Sequence, residues 1–417
     1  MIYLPGSPSK LYEDSDQPRP FRQRRYFYYL SGVDEADCHL TYDIDRDSLT
    51  LYIPPINPAK VIWSGRGSTI PEAFDRYDVD KVRETSSLHE DVDKWMSSNP
   101  GHMYILHPSQ ALVPGDDKSK RVNYTKLQAT VDSCRVVKDD HEIKLIKRAN
   151  EISGKAHREV LEKIADLKNE AQVEAIFLDV CVGEDAKNQA YEVIAASGEN
   201  SATLHYVKND EPLADRQLMV LDAGCEWQNY ASDVTRTFPL DGKFSKEAKA
   251  IYDLVAKMQE ECIGMLKPGF RFLDAHMAAH EIAVRGLLEL GILHNGTAAE
   301  ILAAGTSRAF FPHGLGHHLG LEVHDVSGVP VNSFVYSDGS DPLNLNEQSL
   351  TEAQKYEKLE KSGKNTFRFR LFIIAELGCS SLHLPPAAER LPPWELQAED
   401  DGGISYVSHS PRGHQSH

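Results

Sequence analysis

Positive charge is what this 417-residue chain has too little of: 45 Lys and Arg stand against 63 Asp and Glu, a net charge of −18. With a pI near 5.4, such a surface repels nucleic acid and anionic membranes, and neither is expected as a partner. Long hydrophobic runs are missing too. Mean hydropathy is −0.43, and no apolar stretch approaches the roughly 20 residues that cross a bilayer. The opening residues lack a basic segment followed by an apolar core, so no signal peptide and a cytoplasmic location are expected. Cysteine is sparse and scattered (38, 134, 181, 225, 262, 379) with no CxxC pair. That favours a reduced protein over a disulfide framework, with each cysteine a small buried hydrophobe.

Two stretches stand out against this background. In the first, the apolar run Leu218-Met219-Val220-Leu221 reads as a buried strand that delivers Asp222 into an Ala-Gly turn. Asp233 follows in Ser-Asp-Val-Thr-Arg-Thr. Two strands joined by a short connection can place both acids on one side of a sheet. Close carboxylates repel unless a proton or cation lies between them, and a divalent metal pair is the productive solution. The second stretch, Pro312 to Asp325, holds His313, His317, His318 and His324 among glycines. Histidine is the commonest transition-metal ligand and the usual proton carrier near neutral pH.

Asp222-Ala-Gly, Asp233-Val-Thr-Arg-Thr and the His313–Asp325 segment resemble the proline-specific metallopeptidases, aminopeptidase P and prolidase, above all the fungal prolidase-like Xaa-Pro aminopeptidases. Tyr28-Tyr29-Leu30-Ser31-Gly32, Val61-Ile62-Trp63-Ser64-Gly65 and the helix after Lys138 carry the same resemblance, which extends to about Val329. It implies an α/β (α+β) chain: a small N-terminal α/β domain at 1–130, with some chain missing at its start, and a C-terminal pita-bread domain at 131–417. It also implies two divalent ions per chain, Mn²⁺ foremost with Co²⁺ or Zn²⁺ as alternatives. Asp222, Asp233 (bridging), His317, Glu376 and Glu399 would be the ligands. His205, His313 and His324 would face the substrate, and Glu376 would move the proton. The implied activity removes the N-terminal residue from peptides with proline second. The rivals are a prolidase limited to Xaa-Pro dipeptides and a catalytically impaired pita-bread module that binds peptides. A homodimer is implied by the family.

Element by element, Leu49–Ile53 and Val61–Trp63 read as strands within a run of strand-like segments over 26–63, Tyr104–Leu106 reads as a further strand, and His205 reads as carried on a strand. Asp139 with Glu142 forms a capping box before a long amphipathic helix, whose Lys144, Lys147, Arg148 and Glu151 form a solvated face. The domain boundary is placed near Asn123 to Lys138. Further helices are expected over Lys246–Leu266 and Leu273–Leu290. The two final glutamates depart from the family setting: Glu376 precedes Leu377 where proline is usual, and Glu399 lacks its preceding arginine. From 331 onward the sequence diverges and resembles translated non-coding sequence or a shifted reading frame.

Overall fold

The computed structural model describes residues 1–112, 119–267 and 269–326. The N-terminal part is built on a six-stranded sheet in the order β4-β3-β2-β1-β5-β6. Its strands are β1 (Ile2–Pro5), β2 (His39–Asp43), β3 (Ser48–Ile53), β4 (Lys81–Glu84), β5 (Met103–Tyr104) and β6 (Val122–Asn123). Pairs β1–β2 and β2–β3 are antiparallel; the outer pairs are parallel. The period of two along β1 and β3 divides the core. Leu4, Leu51 and Ile53 pack with Phe27 of α1 (Arg25–Ser31) and Ala73 of α3 (Ile70–Arg76). Tyr3 and Tyr52 face the other way, onto Leu88, Val92, Trp95 and Met96 of α4 (Leu88–Ser98). A sheet covered on both faces is what alternating strand and helix patterns imply.

Two expected strands are helices. The aromatic run after Arg25 forms α1, which Gly32 ends in a left-handed conformation at φ 64°. Val61–Trp63 lies in α2 (Pro58–Ser64), started by Pro58 and by the Asn57 side chain accepting from the Ala59 N–H. β-branched and aromatic residues suggest strand, but Asn57-Pro58 is a helix-start signal, and among the described residues no strand pairs with this segment.

Beyond α5 (Leu127–Val136), α6 (Asp140–Lys163) begins with the Asp139–Glu142 capping box in both directions. Leu145, not Ile143, belongs to its buried face, and Ile143 is exposed. Lys144, Lys147 and Glu151 are exposed, while Arg148 pairs with Glu184 and lies over the Trp227 ring. With α7 (Glu170–Gly183), α6 covers a three-stranded antiparallel sheet of β7 (Ile194–Ser197), β8 (Leu218–Asp222) and β11 (Thr235–Pro239). Ile152, Val160, Val173, Phe177, Met219 and Leu221 form the contact. A short hairpin, β9 (Glu226–Trp227) with β10 (Tyr230–Ala231), separates β8 from β11. The expected helices appear as α8 (Lys246–Met265) and α9 (Phe272–Glu289), followed by α10 (Ala298–Ala303). Gly286 of α9 admits Leu254 of α8 so closely that a Cβ would lie 2.3 Å from its Cδ1. Cys38, Cys181, Cys225 and Cys262 are buried as expected; Cys134 is exposed, because it faces outward on α5.

Helix α1 ties the first sheet to α6, to the β9–β10 hairpin and to the segment at Leu321–Glu322. Arg25, 6 % exposed, donates to Glu226, Glu322 and Asn229. Tyr28 and Tyr29 pack on Leu145, Tyr230 and Leu321.

Candidate functional site

Strand β8 ends at Asp222, and the register sets Asp222 opposite Thr235 at the start of β11, two residues after Asp233. The hairpin between them therefore returns the second carboxylate to the first. Gly224 is what lets the chain turn this tightly. A Cβ there would lie 2.0 Å from the Ser232 carbonyl oxygen and 3.1 Å from the Asp233 nitrogen. Asp222 and Asp233 are 7 % and 4 % exposed. The Tyr191 hydroxyl lies 2.5 Å from Asp222 Oδ1 and 2.8 Å from Asp233 Oδ1, so two carboxylates compete for one donor. Burial, and next the charge of Asp233, push the Asp222 carboxyl up to about 7. A proton or a cation relieves such a pair.

His317 completes the cluster. Its Nε2 lies 3.0 Å from Asp233 Oδ2 and its Nδ1 2.9 Å from the His318 carbonyl oxygen. Burial opposes the charged ring, but the hydrogen bond and charge of Asp233 and the bonds to the His318 and Val323 backbone together outweigh it, and the pKa lies above the ordinary histidine value. Loss of the Nε2 proton would expose a ligating lone pair while Nδ1–H stays directed at a carbonyl, the orientation metal-bound histidines use. Two carboxylates and one imidazole make an oxygen-rich donor set suited to a divalent ion. Among the described residues, no group of three or more His, Cys, Asp or Glu is gathered closely enough to hold an ion as it stands. Instead His317 hydrogen-bonds Asp233, and the Tyr191 hydroxyl bridges Asp233 and Asp222. Glu376 and Glu399, expected to join them, lie outside the described residues.

The histidine-rich segment is held at both ends. Phe311 and Leu315 are fully buried against α8 and α9. The Leu315 N–H donates to His276 Nδ1 at 3.3 Å. Burial brings His276 down to about 4, which leaves the ring neutral and able to accept. At the far end Asp325 accepts from Arg135 at 2.5 Å and Lys138 at 2.7 Å. Between these anchors, His324 meets the His317 ring edge-on with centroids 4.5 Å apart. His313 directs Nδ1 to the Gly314 carbonyl 2.9 Å away; a carbonyl only accepts, so Nδ1 carries the proton and Nε2 is free to accept. Burial lowers the pKa of both His313 and His324, with His317 adding to the shift of each, so both rings are neutral near pH 7. His318 is exposed and takes part through its backbone, where its carbonyl accepts from the Asp325 N–H.

His205 occupies a turn after the short helical segment Gly198–Ala202, not a strand. The polar run 207–211 has no apolar alternation to support one. The charge of His205 opposes protonation of His313 and of His324. The loop is tied down by Glu170, fully buried at the start of α7. Glu170 accepts from the Ser197 N–H and hydroxyl, Asn200, the Tyr206 hydroxyl and the Glu211 N–H. The sequence reading singled out neither Tyr191, Glu170 nor His276. Tyr191 precedes the strand it serves and shows no periodic signal; the Asn-x-x-Gln capping box beside Glu170 marks a helix start only.

The sequence profile described as "Metallopeptidase family M24" matches residues 144–369, and that of the aminopeptidase P N-terminal domain matches residues 1–104. The first match continues past Val329, where the resemblance had been read to fade. A probable Xaa-Pro aminopeptidase of Pyrenophora tritici-repentis is 60 % identical over 78 % of this chain and 50 % of its own length. One from Aspergillus niger is 55 % identical over 79 % of this chain and 68 % of its own. Among solved structures, a variant of Escherichia coli aminopeptidase P in complex with substrate superposes with a TM-score of 0.71 at 29 % identity. That match covers 78 % of this chain and 77 % of the other. A zinc-substituted form of the Escherichia coli protein in complex with product gives 0.69 at 28 % identity, with the same coverage. The chain spans about half the length of the Pyrenophora tritici-repentis relative, and 35 % of a second one from Pyrenophora teres.

Proposed function

The chain belongs to metallopeptidase family M24, with an aminopeptidase P N-terminal domain and a pita-bread domain, and from that premise we propose that it is a metal-dependent Xaa-Pro aminopeptidase. The observation that carries the reading is the meeting of Asp222, Asp233 and His317 at one end of the β8–β11 hairpin. We propose a division of the chain at residue 130, a cytoplasmic location, and two divalent ions with Mn²⁺ preferred. Asp222, Asp233 and His317 would hold the ions, joined by Glu376 and Glu399 from the divergent segment. Divalent ions bound there lower the pKa of water and polarise the scissile carbonyl.

The chain's own groups supply the rest. Neutral His313, protonated at Nδ1, presents Nε2 toward the leaving end of the substrate as an acceptor. His324 and the exposed ring of His205 flank the same space and orient the peptide across it. Glu376 is the proposed proton carrier from water to the proline nitrogen, a secondary amine once the bond is cut. The experiment is release of alanine from Ala-Pro-Ala against Ala-Ala-Ala by the full chain supplied with Mn²⁺. Cleavage of the first and not the second is expected; equal cleavage, or none of either, contradicts the reading.

We also propose a homodimer. Ile62 and Trp63 are 83 % and 86 % exposed on α2, none of whose residues is buried. An apolar pair presented this way suits a partner surface. Trp63→Glu is expected to halve the mass seen by sedimentation, and an unchanged mass would contradict it.

A further inference from the structure

Helix α9 carries His276 and His280 one turn apart on the same face, 3 % and 1 % exposed. Their rings meet edge to face with centroids 4.7 Å apart. Phe311 packs against both, at 5.6 and 4.9 Å, and belongs with Leu315, Met258 and Cys262 to one buried apolar cluster. Where packing alone is needed, an apolar side chain supplies it without burying a ring nitrogen. The two histidines differ in what they do with that nitrogen. His280 leaves its buried Nδ1 without a partner. His276 turns Nδ1 to the Leu315 N–H, 3.3 Å away. A backbone N–H only donates, so Nδ1 is bare and the proton of the neutral ring sits on Nε2. Leu315 lies midway between His313 and His317, and among the described residues no helix or strand includes 310–326. The order of that segment therefore comes from elsewhere. The buried Leu315 side chain fixes its depth, but apolar contact has no direction. The bond to His276 supplies one. A second route runs through Phe311, whose ring meets His313 edge-on at 5.1 Å.

We propose that His276 is a positioning residue: by accepting the Leu315 N–H it sets the spacing of His313 and His317 in the candidate site. The assignment rests on the peptidase reading and deepens it with a residue that acts through Leu315 and Phe311. Removing the acceptor leaves a buried N–H unpaired, and the segment must shift to find another partner. A displacement of about 1 Å in a positioned group can cost about a hundred-fold in rate.

The test compares His276→Leu, which fills the space without an acceptor, with His276→Asn, whose Oδ1 lies as many bonds from Cα as Nδ1 does. Met258→Ala, in the same apolar cluster, is the packing control. Three readings are taken on each full-length chain: hydrogen exchange over 311–317, Mn²⁺ affinity by calorimetric titration, and kcat and KM for Ala-Pro-Ala. Exchange at Leu315 should be slow in the wild type and in His276→Asn, and about ten-fold faster or more in His276→Leu. His276→Leu should bind Mn²⁺ about ten-fold more weakly and turn over about ten-fold more slowly, with KM within about two-fold. His276→Asn should recover both to within about three-fold, and Met258→Ala should lower Tm while keeping both within about two-fold. If His276→Leu does not fold, ¹⁵N-histidine NMR of the wild type decides, with the His276 signals identified by their loss in His276→Asn. A bare Nδ1 is expected. A proton on Nδ1, wild-type exchange and turnover in His276→Leu, no recovery in His276→Asn, or an equal loss in Met258→Ala overturns the assignment. Hydrolysis by the wild type is judged separately. No cleavage of Ala-Pro-Ala would sink the peptidase reading, while exchange and Mn²⁺ affinity still decide His276. Cleavage that His276→Leu leaves unchanged would do the reverse.

Discussion

Replacing Glu170 by glutamine is expected to destabilise the protein by roughly 3–5 kcal/mol and to loosen the loop that carries His205. Two donors from Ser197, at 2.7 and 2.8 Å, and one from Asn200 at 3.0 Å converge on Oε1; Tyr206 at 2.7 Å and Glu211 at 3.1 Å meet Oε2. Glutamine keeps one acceptor oxygen and turns an NH₂ toward donors. The Tyr206 hydroxyl can rotate to accept, but a backbone N–H cannot. About two charge-assisted bonds are lost, each worth about 1.5–3 kcal/mol. Burial by itself would raise the Glu170 pKa; the donors outweigh it and hold the carboxyl below its usual value. A depressed folded pKa means the stabilisation is complete above the unfolded value of about 4.3 and fades as pH falls through the lower folded value. Urea unfolding followed by circular dichroism at about pH 7, 5 and 4 should therefore show a constant gap between wild type and variant that narrows only at the acid end. Turnover should fall with metal content unchanged, since no proposed ligand is touched. A gap below about 1 kcal/mol near pH 7, or one that widens on acidification, would refute this account of the carboxylate.

Gly224→Ala forces a Cβ to within 2.0 Å of a backbone oxygen that has no rotamer by which to move aside. The Asp233 segment must shift, and a loss of about 3 kcal/mol or more with loss of tight metal binding is expected, read by thermal unfolding and elemental analysis. The two arginines on Glu226 should separate by burial. Arg25→Ala leaves Glu226, 3 % exposed, short of its buried partner and should cost about 3 kcal/mol or more. Arg22→Ala, at a side chain 44 % exposed, should cost under about 1 kcal/mol in the same denaturant series.

What could be read from the chain beforehand follows from how local the determining interaction is. The capping box at Asp139, the helix begun at Ser245 and the apolar entry to Asp222 are written in neighbouring residues, and each appears where expected. The α1 and α2 segments were misread because aromatic and β-branched runs suit strands. Their starts and stops are fixed by Gly32 and Asn57-Pro58, and their environment by residues far along the chain. Tyr191, Glu170, His276 and the Arg25–Glu226 pair act across long sequence separations and carry no period or motif of their own. The two aspartates and His317 were legible through their motif neighbours. That Asp233 and His317 are in hydrogen-bond contact is visible only in three dimensions.

The central claim is that Asp222, Asp233 and His317 hold divalent metal, and elemental analysis of the full chain, dialysed after loading with Mn²⁺, tests it most directly. About two ions per chain are expected in the wild type, with at most residual metal in Asp233→Asn, because that carboxylate is the proposed bridge. Metal content near zero in the wild type, or equal content in the variant, would contradict the claim.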